Sequence, residues 1–341
     1  MENVTLIGID LGKHSFHVHG QDRQGKTLLR KKFSRPQLIA FLATFHPCTI
    51  IMEACAGAHF IARQLAGFGH EAKLISPQFV RPFVKSNKSD FIDAEAICEA
   101  ASRPAMRFVT PKNEAQQTLS ALHRVRESLV RERVRASNQI HGFLLEFGIS
   151  LPVGHAAINK LPSVLAEQRL PARLMLLLER LHAHFKYLDK QIADIEKDLT
   201  RQVTEDDLGR RLMTVPGIGP ITASVLVAEV GDGKHYRCGR DFAAAVGLVP
   251  RQYSTGGKNK LLGISKRGDK NLRRLLVQCA RAYMQRLERQ RGRLAQWVHA
   301  MLTRRHSNVV ACALANKLAR TAWAIAAHHT EFEIKEAPMT T

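Results

Sequence analysis

The sequence predicts an α/β domain built on a sheet of mixed direction, followed by a mostly helical remainder, a class best written α/β plus α. Three observations carry this. Short apolar runs alternate with amphipathic ones up to about Pro104, two strand-like runs about a turn separate the first buried run from the next, and from residue 112 onward the apolar period is helical.

Val4 to Asp10 (VTLIGID) reads as a buried strand ending in a carboxylate. Ser15 to Gly20 and Thr27 to Phe33 flank a turn at Gln21 to Gly25, which makes a β-hairpin. An amphipathic helix (Gln37 to Phe45), a buried strand (Thr49 to Met52, with Glu53 at its end), a helix (His59 to Gly67) and a short strand (Ala72 to Ser76) follow. Residues 112 to 147 are helical, polar and rich in arginine; Pro152, Pro162 and Pro171 then interrupt the chain. A second long helix carries Leu174, Leu178, Leu181, Phe185, Leu188, Ile192, Ile195 and Leu199 in alternating steps of four and three, the seam of a coiled coil. That seam specifies a helical partner, either residues 112 to 147 of the same chain or a second copy. From Leu212 onward a third, mostly helical part is expected.

The chain has 341 residues, and its 51 Lys and Arg exceed its 30 Asp and Glu to give a net charge of +21. With 45% hydrophobic residues a real core can form, so the surplus belongs to folded surfaces and not to a disordered basic tail. A polyanion is the partner that neutralises such a surplus, which argues against a small-metabolite enzyme. Thirteen basic residues stand against Asp269 and Glu288 between Arg251 and Arg293, and this stretch is the expected nucleic-acid contact. No secretory leader and no run of about 18 apolar residues is evident, so a cytoplasmic protein without a membrane partner is expected. The six cysteines form no C-x-x-C pair and are read as reduced, buried thiols. The sixteen histidines lack ligand spacing and are read as packing or surface residues.

Four carboxylates carry the chemistry. Asp10 and Glu53 end two buried strands, and Asp90 and Asp93, three residues apart at the start of a helix, project from one face. Such a set would repel itself unless a divalent cation resolves the conflict. Mg²⁺, or Mn²⁺ in its place, takes oxygen ligands, and two ions can serve the attacking and leaving oxygens of phosphoryl transfer.

Two further motifs bear on nucleic acid. Leu212 to Val227 (LMTVPGIGPITASVLV) matches a helix-hairpin-helix pattern, whose glycines 217 and 219 would let backbone amides approach a phosphate. Gln252 to Ser265 (QYSTGGKNKLLGIS) reads as a polar loop in which Ser254 and Thr255 precede Gly256 and Gly257. Lys258, Lys260, Lys266, Arg267, Arg273 and Arg274 would hold a phosphate backbone near a hydroxyl able to attack it.

Asp10 after Gly8 and Ile9, Glu53 in MEAC, the pair in KSDFIDA, the PGIGP turn, GLVPRQYSTGGK and ISKRGDKNLRRLL together resemble the DEDD transposases of bacterial insertion sequences, over essentially the whole chain. The resemblance implies a RuvC-like, RNase H-like catalytic domain whose metal-binding acids are Asp10, Glu53, Asp90 and Asp93. It also implies a serine nucleophile that forms a 5′-phosphoserine linkage, assigned here to Ser254 with Thr255 as the alternative. It further implies guidance by a bridge or seeker RNA that pairs with donor and target DNA. A dimer or tetramer would bring the acids of one protomer to the serine of another.

The expected organisation is a catalytic domain at 1–105, a coiled-coil, dimerising segment at 106–205 and a C-terminal transposase domain at 206–335. The expected function is RNA-guided strand cleavage and exchange. Its rivals are a metal-dependent, structure-selective endonuclease and a non-catalytic nucleic-acid-binding protein.

Overall fold

The computed structural model describes residues 3–85 and 89–334. The chain divides into two compact units, Met1–Ala115 and Gln116–Thr341.

The first unit holds a six-stranded sheet of β1 (Leu6–Leu11), β2 (Ser15–Gln21), β3 (Thr27–Ser34), β4 (Thr49–Glu53), β5 (Glu71–Ile75) and β6 (Phe108–Val109), in the order β3-β2-β1-β4-β5-β6. The short links from β1 to β2 and from β2 to β3 leave room only for antiparallel pairing. Between β3 and β4 runs α1 (Arg35–Ala43), and between β4 and β5 runs α2 (Ala58–Gly67); β1, β4 and β5 pair in parallel. Alternation along the strands sorts the two faces. Ile7, Ile9, Val18, Ile50 and Met52 pack with Leu38 and Leu42 of α1 and with Ile61 and Leu65 of α2. On the opposite face, Ile51 and Ile75 pack with Val80 of α3 (Pro77–Val80) and with Ile97 and Ala100 of α4 (Asp90–Ala101). An antiparallel hairpin beside a parallel run, with helices on both faces, is the RNase H-like arrangement expected from the sequence. The last strand, β6, lies past residue 105 and pairs antiparallel with β5. Two residues are too few to show a period in sequence.

Among its described residues, the second unit has helices and one small β-hairpin as its regular elements. Its elements are α5 (Glu114–Leu145), α6 (His155–Asn159), α7 (Leu161–Glu167), α8 (Ala172–Glu205), α9 (Asp207–Met213), α10 (Pro220–Val230), α11 (Gly239–Val246), β7 (Pro250–Gln252), β8 (Leu261–Ile264), α12 (Lys270–Gln285), α13 (Gly292–Leu302) and α14 (Ser307–His328). The segments expected at 106–205 and 206–335 thus lie almost wholly within one unit, and Lys335 falls outside the described residues.

The heptad seam of α8 is occupied by the same chain. Leu178 and Phe185 pack with Ile140 and Leu144 of α5, and with Ile158, Leu161 and Leu165 of the two short helices between. Farther along, Arg126 Nε donates to Glu196 Oε1 at 2.8 Å, and Arg133 pairs with Asp189. One heptad forward on α5 is therefore matched by one heptad back on α8, an antiparallel pairing. Of the two partners that the heptads left open, the intramolecular one buries Leu178 and Phe185.

A second core joins α9 to α14, with Leu212, Leu226, Phe242, Leu276, Val298, Leu314 and Leu318 all buried. Among the described residues, α14 alone is long and apolar enough to cross a membrane, by length and composition only. Its Val310, Leu314, Leu318 and Ile325 are buried in this core. Of the cysteines, only Cys98 and Cys279 are buried, and the other four are half-exposed free thiols; the expectation of six buried thiols is corrected for those four, of which Cys48, Cys55 and Cys238 lie in connections and Cys312 on a partly open face of α14.

Candidate functional site

The four acids meet on the α4 face of the sheet. Parallel register pairs Ile9 with Met52, so Asp10 and Glu53 stand one residue farther along, at the C-terminal ends of neighbouring strands. Ile9 and Met52 are buried on the α1–α2 side, so strand alternation turns Asp10 and Glu53 towards α4. That helix begins at Ser89, which sits at the N-cap without a side-chain cap bond; its carbonyl accepts from Ile92 and Asp93 at 2.8 and 2.9 Å. Asp90 and Asp93 lie in the first turn, and Ala94, Ile97 and Cys98 continue as its buried surface. A Cβ at Gly8 would stand 2.8 Å from Cys98 Sγ and still nearer the Ala94 carbonyl. The bare glycine lets the helix come close enough to bring its two aspartates to the strand ends.

The electrostatics report the same convergence. Burial raises the Glu53 carboxyl above its ordinary value, and the charges of Asp10 and Asp93 raise it further. Burial also pushes up the Cys55 thiol, with Glu53 and Asp10 adding to the effect. Among the described residues, neither Glu53 nor Asp93 is ion-paired to a lysine or arginine. A cluster of hard oxygen donors, in which burial and the charges of Asp10 and Asp93 raise the Glu53 carboxyl, suits a divalent cation, and a DEDD centre of this kind implies one. Asp10, Glu53, Asp90 and Asp93 are the residues that would hold it.

One residue escaped the sequence reading. His17 on β2 pairs directly opposite Asp10, and its Nδ1 lies 3.5 Å from Asp90 Oδ2. The ligand atoms of Asp10, His17 and Asp90 all lie within 4.8 Å of one another. His17, expected to be a packing or surface residue, is buried and stands among the acids. Ligand spacing along the chain could not reveal it, because its partners come from a neighbouring strand and a helix; alternation along HSFHVHG, which places His17 and His19 on one face, is the signal that was present.

In the second unit Ser254 and Thr255 stand on a β-hairpin and not in a flexible loop. Strands β7 and β8 pair, and Lys258 N donates to the Thr255 carbonyl at 3.0 Å across a two-glycine turn. Gly256 and Gly257 have φ of 55° and 74°, the left-handed values that such a turn requires. Ser254 is exposed, and its Oγ accepts from Gln252 Nε2 at 2.9 Å and from the Lys260 amide at 3.2 Å.

Lys258, Lys260, Lys266 and Arg267 are exposed around this hairpin. Arg273 and Arg274 are half-buried and partly spent on the protein: Arg273 Nη1 donates to the Val246 carbonyl at 2.9 Å, and Arg274 Nη2 to Asn271 Oδ1 at 2.6 Å. A cleft of about 1280 Å³ beside β8 is lined by Arg240, Arg251, Lys266, Lys317, Arg320 and Trp297. In the glycine turn before α10, Gly217 has φ 91° and faces Cys279 O, 2.8 Å from where a Cβ would be. Gly219 is the N-cap of α10 and opens on empty space. Both glycines are exposed, and the close packing at Gly217 lies on the side where a Cβ would point.

Residues 7–149 match a DEDD transposase family of the IS110 type, described as transposase, and residues 209–296 match the transposase IS116/IS110/IS902 family. The transposase for insertion sequence element IS1328 of Yersinia enterocolitica is 67% identical, over 97% of this chain and 99% of that protein. The transposase for IS1111A of Coxiella burnetii is 38% identical, over 95% of this chain and 90% of its own length. A pilin gene-inverting protein of Moraxella lacunata is 23% identical over 80% of each chain. With four acids gathered on an RNase H-like sheet and a relative of this identity spanning its length, the chain belongs to the IS110/IS116/IS902 family of insertion-sequence transposases, enzymes that act on DNA.

Proposed function

We propose that this transposase cuts and rejoins DNA through a covalent serine intermediate, with Asp10, Glu53, Asp90 and Asp93 holding Mg²⁺. The observation that carries the reading is the gathering of those four acids at the ends of β1, β4 and α4. When bound, the cation offsets charge on the phosphate and supports the attacking and leaving oxygens. Ser254 Oγ forms a bond to phosphorus as the P–O3′ bond breaks. The serine proton passes to solvent or to a carboxylate, and the 3′ oxygen takes a proton from solvent to leave as a hydroxyl. The 5′ phosphate stays on the protein, so its bond energy is kept for rejoining. The two hydrogen bonds on Ser254 Oγ leave its own hydrogen available for removal. The gene-inverting relative favours rejoining over plain cleavage, since inversion needs every cut end resealed.

Sequence choice by a guide RNA fits the charge distribution. Exposed Lys258, Lys260, Lys266 and Arg267, and the cationic cleft with Trp297 on its wall, suit backbones and stacked bases, a surface that holds strands without reading them. A homo-oligomer would gather donor DNA, target DNA and RNA in one complex.

The test uses full-length protein, copurified RNA and end-labelled DNA spanning the element's junction. A protein–DNA adduct is expected in wild type and in Thr255→Ala and not in Ser254→Ala; an adduct lost only in Thr255→Ala moves the nucleophile by one residue. Full cleavage by the Ser254→Ala, Thr255→Ala double variant sinks the covalent route and leaves a hydrolytic nuclease. Sequencing of the copurified RNA is expected to find segments complementary to both DNA partners, and their absence removes the guide.

A further inference from the structure

We infer that His17 is a metal ligand, so that the centre offers two unlike cation positions sharing Asp10: an all-oxygen one with Glu53 and Asp93, and a mixed one with His17 and Asp90. This rests on the reading that the four acids hold a divalent cation.

Three observations point to the imidazole. His17 is 5% exposed, and its Nδ1 is buried without a hydrogen-bond partner, a costly state for a ring nitrogen unless something else binds there. That atom faces Asp90 Oδ2 at 3.5 Å, just beyond a sound hydrogen bond, on the side where Asp10 stands opposite in the ladder. The ring is held in place: it meets Phe91 of α4 edge to face at 4.7 Å, and the Arg30 guanidinium covers the Phe91 ring at 4.8 Å.

Ligand atoms on one octahedral ion with bonds near 2.1 Å stand about 3 to 4.2 Å apart. The 4.8 Å spread of the Asp10, His17 and Asp90 atoms therefore needs to tighten by less than about 1 Å, within the rotamer freedom of exposed Asp90. The other position draws on Glu53, which ends the strand neighbouring that of Asp10 in parallel register, and on Asp93 in the first turn of α4. Nitrogen favours Mn²⁺ and later divalent ions over Mg²⁺, so the mixed position should be the more selective.

The experiment loads the full chain with Mn²⁺ alone and reads nitrogen coupling to the ion by electron spin-echo modulation, with calorimetry for affinity. Expected is a ¹⁴N modulation that changes to the ¹⁵N pattern on [¹⁵N]histidine labelling, vanishes in His17→Gln and persists in His14→Gln and His19→Gln. His17→Gln should also bind Mn²⁺ at least about tenfold more weakly while Mg²⁺ binding changes less. Should His17→Gln not fold, persistence of the signal in the double His14→Gln, His19→Gln variant assigns it to His17 by elimination from this strand. Saturable Mn²⁺ binding without nitrogen modulation overturns the inference and leaves the carboxylate centre standing. Absence of saturable binding overturns both.

Discussion

Gly8 of β1 and Ala94 of α4 meet backbone to backbone: a Cβ at position 8 would run into the Ala94 carbonyl and lie 2.8 Å from Cys98 Sγ. This contact sets the height of α4 over the sheet, and with it the reach of Asp90 and Asp93 towards Asp10. Gly8→Val should force the helix outward, destabilising the fold by about 1 to 3 kcal/mol. Denaturant unfolding measures that cost, and calorimetry should show weaker Mn²⁺ binding although no acid has changed.

Glu53 makes the metal-free protein sensitive to pH. Its folded carboxyl titrates above the ordinary 4.5, so between 4.5 and the raised value the folded chain holds more protons than the unfolded one. Stability therefore falls as the pH rises through that window and stays low above it. Glu53→Gln should be more stable than wild type at neutral pH without metal, and the gap should close below pH 4.5. Adding a divalent cation at neutral pH should raise the melting temperature of wild type more than that of the variant. Equal pH profiles for the two proteins would contradict the convergence of the acids.

The exposed cations around the hairpin can be counted by salt. Replacing Lys258 and Lys260 with alanine should lower the slope of log affinity against log salt by about 1 to 2, since each phosphate contact contributes roughly 0.9 on duplex DNA. An unchanged slope would mean that neither lysine touches a phosphate. Lys266 adds a backbone test, because it holds a left-handed φ of 56°. Lys266→Gly should stabilise the fold by about 1 kcal/mol while weakening DNA binding.

Gly256 opens the turn with φ 55°, and a Cβ at this position would meet no atom within 4 Å, so only backbone conformation restricts it. Asparagine tolerates that conformation and a β-branched residue does not. Gly256→Asn should keep the serine adduct, and Gly256→Val should reduce it without a comparable loss of global stability. Equal adduct yields would show that the hairpin tip need not keep this shape.

The antiparallel pairing of α5 and α8 predicts coupling between Arg126 and Glu196. A double-mutant cycle with Arg126→Gln and Glu196→Gln should return about 0.5 to 1 kcal/mol, the range of a partly exposed ion pair. A coupling near zero would place the two helices out of this register.

Much of the fold and part of the site were legible in the residues themselves. Apolar runs and turn chemistry placed β1 to β5 within a few residues, because strands covered on both faces stay apolar along their length. Asp10 and Glu53 were readable as strand-end acids, and Asp90 with Asp93 as one helical face, since these are local periodicities. β6 was not legible, being two residues that pair only because β5 presents an edge.

What the sequence by itself determined is the identity of the acids, the seam of α8, and a cationic chain carrying a Ser-Thr-Gly-Gly turn. What only the tertiary structure decided is which groups meet. The seam turned to α5 of its own chain, the supposed loop closed into a hairpin, Arg273 and Arg274 spent donors on the protein, and His17 came to stand across the ladder from Asp10. The physical reason is one of range. Periodicity records which side of an element is buried, whereas the approach of one element to another depends on side-chain volume at the contact, and here on the absence of a side chain at Gly8.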